Sequence, residues 1–213
     1  MDSLAGIFVT SFLVGLSGAL MPGPVLTVTI SQVASRGFLA GPLIVLGHGI
    51  LELSLVAAVT LGLGRFITAE PVIGTIALIG GLVLIYFGWG ILRGLKGLSL
   101  SLQRGSRENR FVDHPVVAGI LTSLSNPYWT IWWATIGLGY MALSRRLGMV
   151  GLVSFYMGHI LSDLSWYSFV ALALTLGRKA ISDRIYRAAV GVCGIFLVGF
   201  GAYFGYSGFR MFS

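Results

Sequence analysis

The sequence has little charge: only 10% of its 213 residues are Asp, Glu, Lys or Arg, and 56% are apolar or aromatic. A soluble domain carries about a quarter charged residues, so this chain lacks the polar surface that a water-facing globule needs. Its mean hydropathy is +0.91. The scarcity of charge excludes a soluble enzyme and a disordered chain, and it indicates a polytopic membrane protein.

Cysteine is nearly absent. The single Cys193 lies in an apolar, glycine-rich segment, so we expect it to serve packing. One cysteine excludes a secreted disulfide scaffold, a disulfide relay and a cysteine-type metal site. The first residues, Met1-Asp2-Ser3, also lack the positive region of a signal peptide, so we expect the first apolar segment to stay in the mature protein. We expect no cofactor.

Six apolar segments are long enough to cross a bilayer, which takes about 20 residues each. They cover roughly 4–33, 38–64, 71–94, 115–143, 147–176 and 187–210. The predicted fold is an all-α integral membrane protein of six transmembrane helices. A polar, basic connection over 95–114 separates a first three-helix unit, 1–94, from a second, 115–213.

The net charge of +7 is explained by basic residues that set the orientation of the chain in the membrane. We therefore expect no nucleic-acid partner. Connections after spans 1, 3 and 5 hold ten basic residues, and the other side of the membrane holds four. Because cytoplasmic loops carry the excess of Lys and Arg, both termini are predicted to be non-cytoplasmic.

The two units resemble each other. Each opens with a proline-broken segment, and each then carries a Gly-His doublet with an acid four residues after the histidine. The doublets are Gly47-His48 and Gly158-His159. Since three spans is an odd number, the second copy enters the membrane upside down. This pattern predicts an inverted repeat, an architecture typical of transporters with a midplane site.

Proline motifs predict that helices 1 and 4 are broken. The first motif is Pro22-Gly23-Pro24 and the second is Asn126-Pro127. Proline removes a backbone donor and clashes with the preceding turn, and the freed groups must face protein or a cavity. The motifs therefore predict discontinuous helices whose backbone lines a substrate pathway, against the simpler reading of packing kinks. Asn126 can cap the second half-helix or point its amide into the cavity.

Two acids, Glu52 and Asp163, lie deep in spans 2 and 5. A charged group there costs about 2.5–3.5 kcal/mol, so such residues usually face the interior and mark a pathway. The i,i+4 spacing places His48 on the face of Glu52, and His159 on the face of Asp163. The simpler alternative is a neutral hydrogen-bonded pair that holds helices together.

Convergence of the two pairs would also suit a divalent cation. An intramembrane enzyme that uses His159 and Asp163 is a third class, but it lacks a nucleophile motif, and we predict that the chain is not an enzyme. Tyr128, Trp129, Trp132 and Trp133 follow the second break and form either an interfacial belt or a cation–π site for an ammonium. Spaced glycines such as Gly90/Gly94 predict close helix approach.

These motifs together resemble the LysE/RhtB family of amino-acid exporters across essentially the whole chain. Pro22-Gly23-Pro24 is the most specific element, supported by Asn126-Pro127 and by the acids of spans 2 and 5. By match of position, the resemblance makes these five proline-motif residues the core of the pathway. Many members have lysine where this chain has Tyr128, a departure that bears on substrate or coupling.

The resemblance implies a secondary transporter that exports amino acids or related small zwitterions across the plasma membrane. Protons or the membrane potential would drive it, and a homo-oligomer is compatible with the sequence. The alternative function is export of a divalent metal cation through His48, Glu52, His159 and Asp163. The wider superfamily, which contains metal exporters, keeps that alternative open.

Overall fold

A computed structural model describes residues 3–20, 23–63, 70–95, 114–177 and 182–212. These residues are almost entirely helical, and none of them forms a strand. The helices are α1 (Leu4–Ala19), α2 (Pro24–Arg36), α3 (Ala40–Ala58), α4 (Glu70–Gly94), α5 (Pro115–Leu124), α6 (Pro127–Trp132), α7 (Leu138–Ser144), α8 (Gly148–Gly177) and α9 (Asp183–Arg210). π-helical turns extend α3 over Val59–Leu63 and join α6 to α7 over Trp133–Gly137. The predicted all-α class is confirmed.

Four stretches of the described chain are long and apolar enough to cross a membrane, or five if the bent pair α1 and α2 forms one span. The longest stretch, Tyr128–Gly177, has 50 residues and contains a reversal. The Tyr140 and Phe155 rings stack with centroids 6.1 Å apart, whereas an unbroken helix would separate these positions by about 22 Å. Gly148 permits the turn with φ of 70°. This stretch therefore holds two helices that pack against each other.

The helices carry large apolar side chains on their outer faces and polar side chains inside. Leu61 is 82% exposed and Leu176 is 72% exposed, while Thr122 and Ser162 are fully buried. A soluble fold would reverse this pattern. The exposed apolar surface is expected of helices surrounded by lipid tails.

The most extensive packing joins helices from the two halves of the sequence. α1 packs on α8, α3 packs on α5, and α4 packs on α9. Glycines permit the close approach: a Cβ added at Gly81 would lie 2.6 Å from the carbonyl oxygen of Gly201, and the reverse holds for Gly201. By contrast, an added Cβ at Gly90 or Gly94 would meet no described residue within 4 Å, so close approach was the wrong prediction for that pair in the described part of the chain.

Two helix breaks lie at the predicted proline motifs. α1 ends at Ala19 and α2 begins at Pro24, with a bend of 77° between them. α5 ends at Leu124, and α6 begins at Pro127 with Asn126 as its N-cap. The predicted residue Pro22 lies outside the described residues, as does most of the polar connection, 96–113.

Candidate functional site

Four ionisable side chains from two helices meet inside the bundle. His48 and Glu52 come from α3, His159 and Asp163 come from α8, and one ligand-capable atom of each lies within 4.8 Å of the others. All four are buried, and Glu52 is only 1% exposed. The i,i+4 spacing places both members of each pair on one helix face, as the sequence predicts. We call these four residues the His–acid cluster.

Four side-chain nitrogen atoms surround one carboxylate oxygen of Glu52, Oε1. The indole N–H groups of Trp129 and Trp133 donate to Oε1 over 3.1 and 2.9 Å. The Nε2 atoms of His48 and His159 lie 3.0 and 3.2 Å from the same oxygen. Trp129 and Trp133 are themselves four residues apart just after the second helix break. The segment that follows the break therefore holds Glu52 in place.

Two carboxylate oxygens of the cluster, one from each acid, lack hydrogen-bond partners among the described residues. Glu52 Oε2 and Asp163 Oδ2 are buried, and neither has a hydrogen-bond partner in the described part of the chain. Asp163 Oδ2 lies 3.8 Å from His48 Nε2 and 3.9 Å from His159 Nε2. A buried carboxylate oxygen without a partner is costly. These two oxygens are therefore the unsatisfied acceptors of the His–acid cluster.

A cavity of about 180 Å³ connects the His–acid cluster with both helix breaks. A single water needs only about 10–15 Å³ of such cavity volume, so the cavity has room for several waters or a small solute. Nine of the residues predicted from the sequence line it: Gly23, Pro24, His48, Glu52, Asn126, Tyr128, Trp129, His159 and Asp163. Pro127 begins α6 beside them.

Local backbone chemistry fixes the two half-helices that begin at the cavity. Gly23 is extended with φ of −150°, and Pro24 occupies the first turn of α2, where its missing N–H removes no hydrogen bond. At the second break the Asn126 side-chain oxygen accepts from the N–H of Tyr128 over 3.1 Å. Asn126 therefore caps α6 and also lines the cavity.

Several residues of the site carry no signal in the sequence. Ser123 Oγ lies 2.7 Å from His48 Nδ1, a contact across 75 residues. Trp132, by contrast, is a sequence candidate for a cation–π site or an interfacial belt, and its ring stacks on His159 with centroids 4.7 Å apart. Phe200 and Phe204 of α9 add apolar lining. The spacing of Trp129 and Trp133 was a usable signal, because residues four apart on a helix face the same way.

A cavity lined by buried acids and histidines, enclosed by apolar helices and bordered by broken ones, defines a membrane transport protein. Comparison with known proteins gives the family. The description "LysE type translocator" matches residues 16–208, and the chain belongs to this family. Its members are transporters, and the chain is a multi-pass membrane protein. The predicted LysE resemblance is confirmed.

Two curated relatives match nearly their full length. The chain is 28% identical to "Putative amino acid efflux protein YcgF" of Bacillus subtilis over 206 residues, which cover 96% of this chain and 97% of the relative. It is 24% identical to "Chemotactic transduction protein ChpE" of Pseudomonas aeruginosa over 197 residues, or 92% and 96% of the two chains. No solved structure matches the chain significantly.

Proposed function

We propose that the chain is a secondary transporter that exports amino acids or related small zwitterions across the plasma membrane. Family membership and the Bacillus relative support export of this substrate class. The observation that carries the proposal is that the buried acids Glu52 and Asp163 line the cavity, and each has one carboxylate oxygen without a hydrogen-bond partner among the described residues. None of the described lining residues is Lys or Arg, so the negative charge of the two acids suits a substrate ammonium group.

The substrate carboxylate would bind at the start of α2. Gly23, Pro24 and Val25 line the cavity, and α2 is 13 residues long. The first amides of a helix have no partner within the helix, and the helix dipole places partial positive charge there. A zwitterion would then bind with its carboxylate at α2 and its ammonium at Asp163. The cavity aromatics Tyr128 and Trp129 would contact its side chain.

The proposal includes six spans arranged as two inverted three-helix repeats. The first repeat would contain α1 to α4, and the second would contain α5 to α9. The packing supports this, because exchanging the halves turns the α1–α8 contact into the α5–α3 contact and leaves the α4–α9 contact unchanged. The Gly-His doublets support it as well. An added Cβ at Gly47 would strike the Val116 carbonyl of α5, and one at Gly158 would strike the Phe8 carbonyl of α1.

Transport would alternate between two openings as the repeats move against each other around the cavity, with both termini outside the cytoplasm. Protons or the membrane potential would drive it. The histidines suit a proton route, because His48 and His159 each contact Glu52 directly and approach Asp163.

A ligand screen on the purified protein tests this function. A solute that binds the folded state raises its apparent stability, so some amino acids should raise the unfolding temperature. The Asp163→Asn variant should lose that response, whereas His114→Gln should keep it, since His114 is an exposed N-cap outside the cavity. If amino acids stabilise both variants equally, the carboxylate does not bind the substrate.

Export of a divalent cation is the second candidate function. The observation that favours it is the closeness of two histidines and two carboxylates, all within 4.8 Å. This function requires expression of the protein to confer metal resistance that His48→Ala and His159→Ala abolish. Normal resistance in both variants would leave amino-acid export as the better assignment.

A further inference from the structure

We propose that the His–acid cluster binds one divalent transition-metal ion with two histidine nitrogens and two carboxylate oxygens as ligands. The inference uses the cavity of the proposed function but is independent of which solute is exported. It concerns equilibrium binding to the folded chain, so it stands or fails separately from transport.

The spacing of the four atoms suits tetrahedral coordination. With bonds of about 2.0–2.1 Å to nitrogen and oxygen, a tetrahedron separates its ligands by about 3.3–3.4 Å. The Glu52 oxygen lies 3.0 and 3.2 Å from the two histidine Nε2 atoms, and the Asp163 oxygen lies 3.8 and 3.9 Å from them. These four distances lie on both sides of the ideal separation.

The donor set selects among cations. Imidazole nitrogen suits Zn²⁺, Co²⁺, Ni²⁺ and Cu²⁺, whereas Ca²⁺ and Mg²⁺ prefer oxygen ligands throughout. His48 and His159 supply half of the ligands. The site therefore favours zinc-like ions over the alkaline-earth ions that are common in cells.

The charge of the cluster matches a divalent ion. Two carboxylates carry a charge of −2 when the histidines are neutral, and none of the described cavity-lining residues is Lys or Arg. A 2+ ion would neutralise Glu52 and Asp163 together.

Most of the proposed ligands make further contacts of the kind that orient ligands in metal sites. His48 Nδ1 lies 2.7 Å from Ser123 Oγ, so the Ser123 hydroxyl can accept from Nδ1–H when Nε2 binds the metal. Trp129 and Trp133 donate to the Glu52 carboxylate in the way outer-shell partners orient ligands. The stacked Trp132 ring fixes the plane of His159.

Metal and substrate ammonium would then compete, since both need Glu52 and Asp163. A bound transition metal should weaken binding of an amine, and a saturating amine should weaken the metal by the same factor. Zinc would thus act as an inhibitor of the exporter.

Cobalt binding to the full chain in detergent, after metal removal with a chelator, tests the inference. Co²⁺ in a tetrahedral site absorbs strongly in the visible region, so we expect saturable bands at one ion per chain. Asp163→Asn and His159→Gln should each weaken binding at least ~10-fold, whereas the matched histidine control His114→Gln should bind normally. Absence of saturable binding, or equal binding in all variants, would overturn the site.

If a variant at one of the proposed metal ligands fails to fold, two milder substitutions test the metal site. Ser123→Ala and Trp129→Phe remove only an outer contact, and each should weaken Co²⁺ about 10-fold or more without altering the gel-filtration profile. Unchanged affinity in both would contradict the inference. Because no gradient or transport is involved, a negative result here leaves amino-acid export intact and removes the support for divalent-cation export.

Discussion

Glu52 is the most heavily contacted residue of the site, and its two oxygens differ sharply. Oε1 has two indole donors and two imidazole neighbours, while Oε2 has no hydrogen-bond partner among the described residues. Asp163 lacks the indole support that Glu52 has. The asymmetry favours Glu52 as the fixed acid of the pair and Asp163 as the acid that meets the substrate.

Removing one indole donor should loosen Glu52. We predict that Trp133→Phe lowers substrate affinity and folded-state stability, because a hydrogen bond to a charged group contributes about 1.5–3 kcal/mol. Thermal unfolding and ligand titration of the purified protein measure both effects. The matched control is Trp166→Phe, since the indole nitrogen of Trp166 has no partner in the described chain. Equal losses in the two variants would show that ring packing, not the hydrogen bond, matters.

At the scale of elements, helices of one half pack against helices of the other half. Glycines lie at the points where the backbones approach closely. A Cβ added at Gly158 would meet the Phe8 carbonyl of α1, and one added at Gly47 would meet the Val116 carbonyl of α5. Each glycine directly precedes a histidine of the cluster. The Gly-His doublet thus combines a packing residue and a site residue on neighbouring positions.

This geometry makes a direct prediction for Gly158→Ala and Gly47→Ala. Each should destabilise the protein by about 1–3 kcal/mol, because the new methyl group meets backbone that cannot rotate away. Gly199→Ala is the matched control: its Cβ would meet nothing within 4 Å, and alanine is the better helix former. Thermal unfolding in detergent measures the differences. Gly47→Ala and Gly158→Ala proteins as stable as Gly199→Ala would contradict the close packing.

The elements were largely predictable from the sequence, and so were the residues that carry charge. Apolar length located the helices, the proline motifs located both breaks, and i,i+4 spacing paired each acid with its histidine. Contacts between distant segments were not predictable, because helical periodicity describes neighbours on one helix only. Ser123 beside His48 is such a contact. The open surroundings of Gly90 show the same limit, since spacing alone does not reveal which helix face finds a partner.

At the scale of the whole molecule, the charge asymmetry of the connections predicts orientation. The ten basic residues after spans 1, 3 and 5 should lie in the cytoplasm, which leaves both termini outside. An epitope tag at either terminus should therefore be accessible in intact cells. A tag placed in the connection 95–114 should need permeabilised membranes. Cytoplasmic tags at both termini would reverse the assignment.

The whole molecule combines an apolar exterior with a small, strongly polar centre. Its described surface resembles a lipid-facing bundle, while both halves deliver an acid and a histidine to one cavity. Exchange of the halves preserves the main helix contacts, as expected if the halves are the inverted repeats that we propose.

Counterflow in proteoliposomes tests the central claim most directly, namely that the cavity acids bind the amino group of an exported amino acid. Vesicles loaded with an unlabelled amino acid should accumulate the labelled form. An analogue of the same size without the amino group should not drive this uptake. Asp163→Asn should cut counterflow sharply, and His114→Gln should leave it unchanged. Full counterflow in both Asp163→Asn and Glu52→Gln, or equal exchange of the amine-free analogue, would contradict the claim.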